Sequence, residues 1–482
     1  MNKIYNEAGF TVLIENFYVK TGGGFLEYQV AIIGAGPGGY VAALHAARLG
    51  MRVCLIEKSE VGGVCLNQGC IPTKTLVGSA KVFSLLTKAA EYGIQVGADA
   101  RPDWKRILER KAQVVARLVK GIHYLLDQAK VELISGTAEF SSKHELQITF
   151  ADGTKRSVKA EKIIVATGSE PSVPDVFNYD GIKVISSNEA LTLPELPESL
   201  AIIGGGVIGC EFASIFATFG VKVTIVELMD QLIPNLDPEI SGSLRLQLKK
   251  KRIQIRTSTS VNEVLKEESG VRLILSDGKD LSTSKVLVSI GRRPSSSQLG
   301  LEDIGVKLNS KGRIQVNRYL QTNHPWIYAI GDVNDQPWDL AHAASFQGIA
   351  AVEHLAGKPV VWSDEAMPNC IFTDPEVATV GMTVQEATAQ GWDAVASKAP
   401  FLANGKALAQ GEAVGFIKLV ADKNSRRILG VQIIGPEASD LIAEAALAVK
   451  HHLTVEQLTG TIHAHPTLAE SLHEAAEGIL KL

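Results

Sequence analysis

Tyr28-Gln29-Val30-Ala31-Ile32-Ile33-Gly34-Ala35-Gly36-Pro37-Gly38-Gly39 is the stretch on which the fold turns. Tyr28 to Ile33 reads as a buried strand entered from polar sequence. Gly34, Gly36 and Gly39 then occupy the positions of a G-x-G-x-x-G turn. A small-residue helix is predicted from Tyr40 to Leu49, ending at Gly50, and a second apolar strand, Val53 to Ile56, runs into Glu57. This order of strand, glycine turn, helix, strand and acid is a complete dinucleotide-binding unit. Gly36 lets the backbone approach a pyrophosphate, and Gly39 lets the helix pack closely on the strand. The helix N-terminus offers free N–H groups and the positive end of its dipole. Glu57 is placed to accept hydrogen bonds from a ribose diol.

The unit recurs downstream. Leu200 to Ile203 is a strand, Gly204, Gly206 and Gly209 occupy the glycine positions, a helix is predicted from Cys210 to Phe219, and Val221 to Val226 leads to Glu227. The acid follows the first glycine at the same spacing in both units. Two such units in one chain can pass a hydride from one cofactor to another. After Glu227 come Leu228, Met229 and Asp230, with no Arg or Lys to meet a ribose 2′-phosphate, so the second unit favours NAD over NADP.

Just beyond the first unit lies Gly63-Val64-Cys65-Leu66-Asn67-Gln68-Gly69-Cys70-Ile71-Pro72-Thr73-Lys74. Cα atoms five residues apart in a regular helix are roughly 8 to 9 Å apart, whereas a disulfide needs about 4.4 to 6.8 Å. Cys65 and Cys70 therefore bridge only if the helix is distorted. Gly69 relaxes the backbone beside Cys70, and Pro72 removes a donor that regular helix geometry would use. Spacing alone leaves two readings open: a redox pair, or two separate buried thiols. The dinucleotide unit alongside favours the redox pair and assigns flavin chemistry to the first unit, because a flavin exchanges electrons with both thiolate and nicotinamide. Ile163 to Ser169, with Thr167 and Gly168 at its end, reads as a strand entering a small-residue turn. Tyr328 to Val333 reads as a short strand running into Gly331-Asp332, where Asp332 could hold a ribityl hydroxyl. That segment lies beyond the second unit, so the flavin domain is expected to be split.

The chain has 482 residues, enough for three or four domains, with 45% hydrophobic and 21% charged residues and a net charge of -4. Nothing in that balance points to nucleic acid or to an anionic membrane surface as a partner, and no apolar run is long enough for a membrane span. The five cysteines, Cys54, Cys65, Cys70, Cys210 and Cys370, are too few and odd in number for a secreted disulfide scaffold. A reducing, cytoplasmic setting is expected, in which one reactive pair is catalytic rather than structural. Residues 1–27 have neither the apolar core of a secretory signal nor the arginines of a transit peptide. They are expected to form a disordered extension.

Near the chain end, Thr461-Ile462-His463-Ala464-His465-Pro466-Thr467-Leu468-Ala469-Glu470 is a second dense cluster. His465 and Glu470 can pair across the turn at Pro466, and an imidazole oriented by a carboxylate is a base suited to a thiol proton. A structural histidine is the competing reading. A zinc site is not expected, since the spacing matches none of the usual Cys/His patterns. His451 and His452 read as helix-end or surface residues, and His45 as a packing residue.

With these residues assembled, the chain from about residue 28 onward resembles the pyridine nucleotide-disulfide oxidoreductases, and among them the dihydrolipoamide dehydrogenases. The most specific motifs are G-V-C-L-N-Q-G-C-I-P-T-K at 63–74 and H-A-H-P-T-L-A-E at 463–470. The resemblance implies an α/β fold with two Rossmann-like dinucleotide-binding domains, for FAD and NAD, and a C-terminal α+β dimerisation domain. It divides the chain into 28–172 (FAD domain, first part), 173–296 (NAD domain), 297–363 (central segment and FAD domain, second part) and 364–482 (dimer interface). It implies that Cys65 exchanges with substrate and that Cys70 is the thiolate facing the flavin. Lys74 would lie near the flavin with Glu211 as its acidic partner. His465 would be the base, acting on the partner subunit's site, and Glu470 its orienter. Asp332 would bind the ribityl chain and Glu227 the NAD ribose, with further cofactor contacts at Thr167, Gly168, Ala341 and Gly291. The implied activity is NAD-linked oxidation of protein-bound dihydrolipoamide by a homodimer. Such a dimer would dock on lipoyl domains and the acyltransferase core of a 2-oxo-acid dehydrogenase, or serve the lipoyl protein of glycine cleavage. Alternatives within and outside the class are an NADH-dependent reductase of another disulfide or a quinone, and a flavoprotein scaffold. Three positions depart from the family pattern: Gln347 stands where Glu is usual, Asp374 where His is common, and Thr73 where Ser is usual.

Overall fold

The computed structural model describes residues 27–97 and 100–482. The expected disordered extension falls almost wholly outside them. Its last residue, Glu27, is described and is not loose: its N–H donates to the Lys159 carbonyl at 3.0 Å and its carboxylate pairs with Arg156.

The first strand, β1 (Tyr28–Ile33), is followed by α1 (Pro37–Arg48) and β2 (Val53–Glu57). After them come α2 (Gly63–Asn67), α3 (Cys70–Thr87), α4 (Trp104–Gln128) and β3 (Glu132–Ser135). An antiparallel excursion, β4 (Thr137–Ser142) and β5 (Glu145–Thr149), leads into the long strand β6 (Lys155–Val165). The sheet order is β3-β2-β1-β6-β5-β4, and β1 pairs in parallel with both β2 and β6. Strand Ile327–Ala329 returns from far down the chain to lie parallel to β6. The apolar run of β1 is buried along nearly its whole length, as a parallel strand covered on both faces must be.

A second parallel sheet is built from the repeat. Its order is Gln254–Arg256, Lys222–Val226, Ser199–Ile203, Lys285–Val288 and Val184–Ile185. The chain enters and leaves this domain through one antiparallel ribbon, Ser169–Pro171 against Arg292–Pro294. The C-terminal domain is a five-stranded antiparallel sheet covered by helices Ala438–Lys450 and Glu470–Leu480.

Both nucleotide-unit helices begin earlier than the sequence reading placed them, at Pro37 rather than Tyr40 and at Val207 rather than Cys210. The cause is that the last glycine of each turn already belongs to the first helical turn. Gly39 and Gly209 must be helical to pack on the strand behind them. A Cβ on Gly39 would lie 1.8 Å from the Gly34 carbonyl oxygen, and one on Gly209 would lie 2.0 Å from that of Gly204. Helix α1 also crosses helix Ala341–Leu355 closely, because a Cβ on Gly348 would meet the Gly38 carbonyl at 2.7 Å.

Gly39→Ala is therefore expected to cost about 3 kcal/mol or more, since the clash is with backbone and cannot relax by a rotamer change. Gly242→Ala, in an exposed helical position with nothing within 4 Å of the new Cβ, is expected to stabilise by about 0.5 to 1 kcal/mol. Thermal or urea unfolding of the two variants checks both signs.

Candidate active site

The two cysteines sit on different helices. Cys65 lies in α2 and Cys70 is the first residue of α3. Between them the backbone leaves helical geometry at Gln68 (φ -140, ψ 20) and Gly69 (φ -145, ψ -114). A Cβ on Gly69 would meet the Val64 carbonyl at 2.9 Å, so the break needs this glycine. Pro72 does not cause it. As the third residue of α3 it stands where a helix lacks an N–H partner in any case. Thr73 donates its hydroxyl to the Gly69 carbonyl at 2.6 Å, and Asn67 donates to the Gly63 carbonyl at 2.9 Å, fixing the break from both sides.

The break brings the sulfur atoms together. A thiol–thiol hydrogen bond couples the two side chains. That hydrogen bond, with the positive charge of Lys74, lowers the Cys70 thiol to about 7 in spite of its burial. The same hydrogen bond and burial push Cys65 upward. The start of α3, with its unpaired N–H groups, also suits a thiolate at Cys70. Both cysteines are free thiols in this structure, coupled to one another rather than separately buried.

This pair is seated on the first glycine turn. Gly62 donates its N–H to the Ala35 carbonyl at 2.8 Å, and a Cβ on Gly63 would lie 2.7 Å from the Gly36 Cα. The outer face of the turn is open, with nothing within 4 Å of a Cβ built on Gly36. Gly206 has the same open face in the second unit. Gly34 (φ +100) and Gly204 (φ +107) are each pressed on a neighbouring strand end, with a Cβ falling 2.4 Å from the Ala166 and Ser289 carbonyls. Two open faces at the N-termini of two helices fit two pyrophosphates.

The acids brace these turns. Glu57 accepts from the N–H groups of Ala35 (2.7 Å) and Ser59 (2.9 Å). Glu227 accepts from those of Gly205 (2.5 Å) and Met229 (2.7 Å). Sequence reasoning gave each carboxylate to a ribose. In the structure each holds the conformation of its own glycine turn.

Lys74 meets Glu211 in a two-pronged ion pair, with Nζ–Oε distances of 3.0 and 2.9 Å. Glu211 comes from helix Val207–Thr218 of the second unit and is buried. It also accepts the Phe372 N–H at 2.9 Å, and the Lys74 ammonium lies 4.3 Å from the centre of the Phe372 ring.

Asp332 lies in a short 3-10 turn just after the returning strand. It accepts from the Ser169 hydroxyl at 2.5 Å, and Arg292 donates to that hydroxyl at 2.7 Å. Burial and Asp339 hold its carboxyl above the usual range, while Ser169, Arg292 and Arg313 oppose that shift. Thr167 donates to the Ser295 carbonyl at 2.7 Å, and Gly168 (φ 69) and Gly291 (φ 123) flank the ribbon. Ala341 opens the helix Ala341–Leu355. The ribbon partners Ser169 and Arg292 were missed in the sequence, although each adjoins a glycine that was singled out. Phe372 was missed because a main-chain N–H leaves no trace in sequence.

His465 stands apart. Its Nδ1 lies 2.9 Å from Glu470 Oε1, and Glu470 also accepts the Thr467 N–H at 2.7 Å. That backbone N–H, followed by the His465 ring, holds the Glu470 carboxyl below its ordinary value. The His465 side chain is 81% exposed, and among the described residues no hydrogen bond or ion pair joins it to Cys65 or Cys70. His463 is held internally by Glu444 and the Thr461 carbonyl, both at 2.9 Å. His45 pairs with Glu353 at 2.7 Å.

A family description for pyridine nucleotide-disulphide oxidoreductases matches residues 28–348, and one for the dimerisation domain of the same group matches residues 367–476. The chain is 42% identical over 460 residues to the dihydrolipoyl dehydrogenase of Chlorobaculum parvum, covering 94% of this chain and 97% of that one. It is 40% identical over 455 residues to the dihydrolipoyl dehydrogenase of Geobacillus stearothermophilus, covering 94% and 96%. Among solved structures, LpdA of Mycobacterium tuberculosis superposes with a TM-score of 0.88 at 29% identity, over 93% of this chain and 98% of that one. The HOCl-induced flavoprotein disulfide reductase RclA of Escherichia coli superposes with a TM-score of 0.84 at 30% identity, over 93% and 99%.

Gly36→Ala and Gly206→Ala place a methyl on an open face and clash with nothing in the protein. Both variants are expected to melt within about 1 kcal/mol of the parent, the first without retained flavin absorbance and the second flavin-loaded but with weakened NAD binding. In the reduced protein, thiolate absorbance against pH is expected to rise around pH about 7. Cys65→Ala and Lys74→Met should each move that rise to higher pH, because each removes a group that favours the Cys70 anion.

Proposed function

The chain belongs to the pyridine nucleotide-disulphide oxidoreductases, and on that premise we propose that it oxidises protein-bound dihydrolipoamide to lipoamide, with FAD and NAD as its cofactors. The observation that carries this reading is the Cys65–Cys70 pair, seated on an open glycine turn beside the Lys74–Glu211 ion pair. FAD, when bound, carries two electrons between this pair and the nicotinamide of NAD.

The residues divide the thiol chemistry between them. In the oxidised protein Cys65 and Cys70 are joined as a disulfide. His465 of the neighbouring subunit takes the proton of one substrate thiol at its outward-facing Nε2. The substrate thiolate attacks the Cys65 sulfur, the Cys65–Cys70 bond breaks, and Cys70 leaves as a thiolate favoured by Lys74. The second substrate thiol then displaces Cys65 from the mixed disulfide, its proton passing to the departing Cys65 sulfur. Substrate dithiol becomes disulfide, and the protein disulfide becomes a thiol and a thiolate, so two electrons have moved. Exchange of this kind is fastest when the attacking sulfur is ionised and the leaving sulfur is a weak base. Glu470 holds the base in one tautomer, and Lys74 stabilises the leaving thiolate.

Gly34, Gly36, Gly39, Glu57, Thr167, Gly168, Asp332 and Ala341 are the residues we assign to FAD. Gly204, Gly206, Gly209, Glu227 and Gly291 are those we assign to NAD. The exposed His465, with its dimerisation domain, supports a homodimer whose sites are completed across the subunit boundary. Lipoyl domains of a 2-oxo-acid dehydrogenase or glycine-cleavage assembly are the proposed partners, and the cytoplasm the proposed location. Among the described residues no helix is long and apolar enough to cross a membrane.

The test is NAD-linked oxidation of dihydrolipoamide by the purified, FAD-loaded protein, beside NADH-linked reduction of glutathione disulfide and of a quinone. Preference for either of the latter would overturn the assignment. His465→Ala is expected to slow dihydrolipoamide oxidation by about 10²- to 10⁴-fold while retaining flavin in full. A variant turning over normally would remove His465 from the mechanism.

A further inference from the structure

Lys418 is a buried cation far in sequence from every residue assigned above. It projects from strand Phe416–Asp422 of the C-terminal sheet, is 5% exposed, and reaches into the second nucleotide domain. There its Nζ meets Asp237 Oδ2 at 2.8 Å and Glu239 Oε1 at 2.7 Å. Asp237 is itself 1% exposed. A charge pair this deep is retained only where its partners are well placed, because both ions have lost their water. Lys398, from the neighbouring strand, pairs with the other oxygen of Glu239.

Asp237 connects this pair to the glycine turn of the second unit. It caps helix Pro238–Lys250, accepting the Glu239 N–H at 2.8 Å on Oδ1, and its carbonyl accepts the Ser241 N–H at 3.0 Å. The Ser241 hydroxyl donates to the Leu232 carbonyl at 2.7 Å. The next residue, Ile233, donates its N–H to the Gly205 carbonyl at 2.8 Å, and the Gly205 N–H donates to Glu227. A Cβ on Gly205 would lie 2.6 Å from Leu232. An unbroken run of hydrogen bonds thus leads from a strand of the dimerisation domain to the turn and the acid of the second nucleotide unit. At the other end of the same helix, Lys251 pairs with Asp374 of the C-terminal domain at 2.5 Å. The helix is held to that domain at both ends.

We infer that Lys418 is a positioning residue for NAD: by gripping Asp237 it fixes the loop that supports Gly205 and Glu227, and it makes the affinity for NAD depend on the dimerisation domain. This rests on the reading of the second unit as the NAD site. The turn of the first unit is supported differently, by Gly62 and Gly63 of the dithiol segment.

The test uses the full-length, FAD-loaded protein. In Lys418→Met, calorimetric titration is expected to show NAD+ binding weakened by about fivefold or more. KM for NAD should rise in step while kcat at saturation stays close to the parent. Flavin content and the rate of flavin reduction by dihydrolipoamide without NAD should be unchanged. The double variant Lys418→Met/Asp237→Asn removes the stranded carboxylate and keeps the helix cap, so it is expected to recover thermal stability without recovering NAD affinity. NAD affinity within twofold of the parent in the single variant would overturn the inference. So would a double variant in which affinity and melting temperature recover together, and that variant decides the matter should the single one fail to fold. A parent protein that holds flavin yet binds no NAD would overturn the reading of the second unit itself, which the parent titration alone reveals.

Discussion

One buried ion pair organises the centre of this molecule. Glu211 is almost fully enclosed and belongs to the second nucleotide domain, Lys74 belongs to the first, and the N–H of Phe372 comes from the C-terminal domain. A carboxylate removed from water must be neutralised and hydrogen-bonded where it lies. Removing one member of such a pair typically costs about 3 to 5 kcal/mol because the other charge is stranded. Three domains therefore cannot shift independently without exposing or orphaning this charge. The same constraint delivers the chemistry, since the lysine that Glu211 anchors is the cation that favours a thiolate at Cys70.

The two nucleotide units show how one local pattern serves two ends. Their turns are alike in detail, down to the left-handed first glycine, the open second glycine and the acid that braces the turn. What differs is the segment that packs on each turn. The first is met by Gly62-Gly63, which carry the dithiol helix, and no side chain larger than hydrogen fits at Gly63. The second is met by Leu232-Ile233, which lead to the capped helix and to Lys418. Chemistry is attached to one copy and a tether to the other, with no change to the turn itself.

The sequence makes the repeated strand–turn–helix units legible because their determinants are local: alternating burial, fixed glycine spacing and a terminal acid. It makes the helix starts illegible by three residues, because the last glycine of each turn does both jobs. The spacing of the cysteines alone leaves their reading open, since what brings them together is the break between two helices at Gly69. The three departures become intelligible only in three dimensions. Gln347 is fully buried, and its carbonyl oxygen accepts from the Gly331 N–H at 2.7 Å and the Asn334 amide at 2.9 Å. A neutral amide performs that task without burying a charge, at the expense of an Nε2 that has no partner among the described residues. Asp374 forms an ion pair with Lys251. Thr73 keeps the hydroxyl that closes the break at Gly69.

The placement of His465 suits the thiol base proposed for it. Its Nδ1 faces Glu470, whose carboxylate is kept ionised by the Thr467 N–H. A carboxylate accepts and does not donate, so the ring proton belongs on Nδ1 and the lone pair on Nε2. That lone pair points outward from a side chain that is mostly in solvent. Within one chain it faces no thiol. The dithiol, for its part, has a cation and a glycine turn around it, and among the described residues no imidazole is bonded to it. Each half lacks what the other holds, and both lie in domains fixed to one another through Glu211 and Lys418. A second copy, joined through the dimerisation domain, would supply each dithiol with the base proposed above while leaving that base accessible to a thiol arriving from solvent.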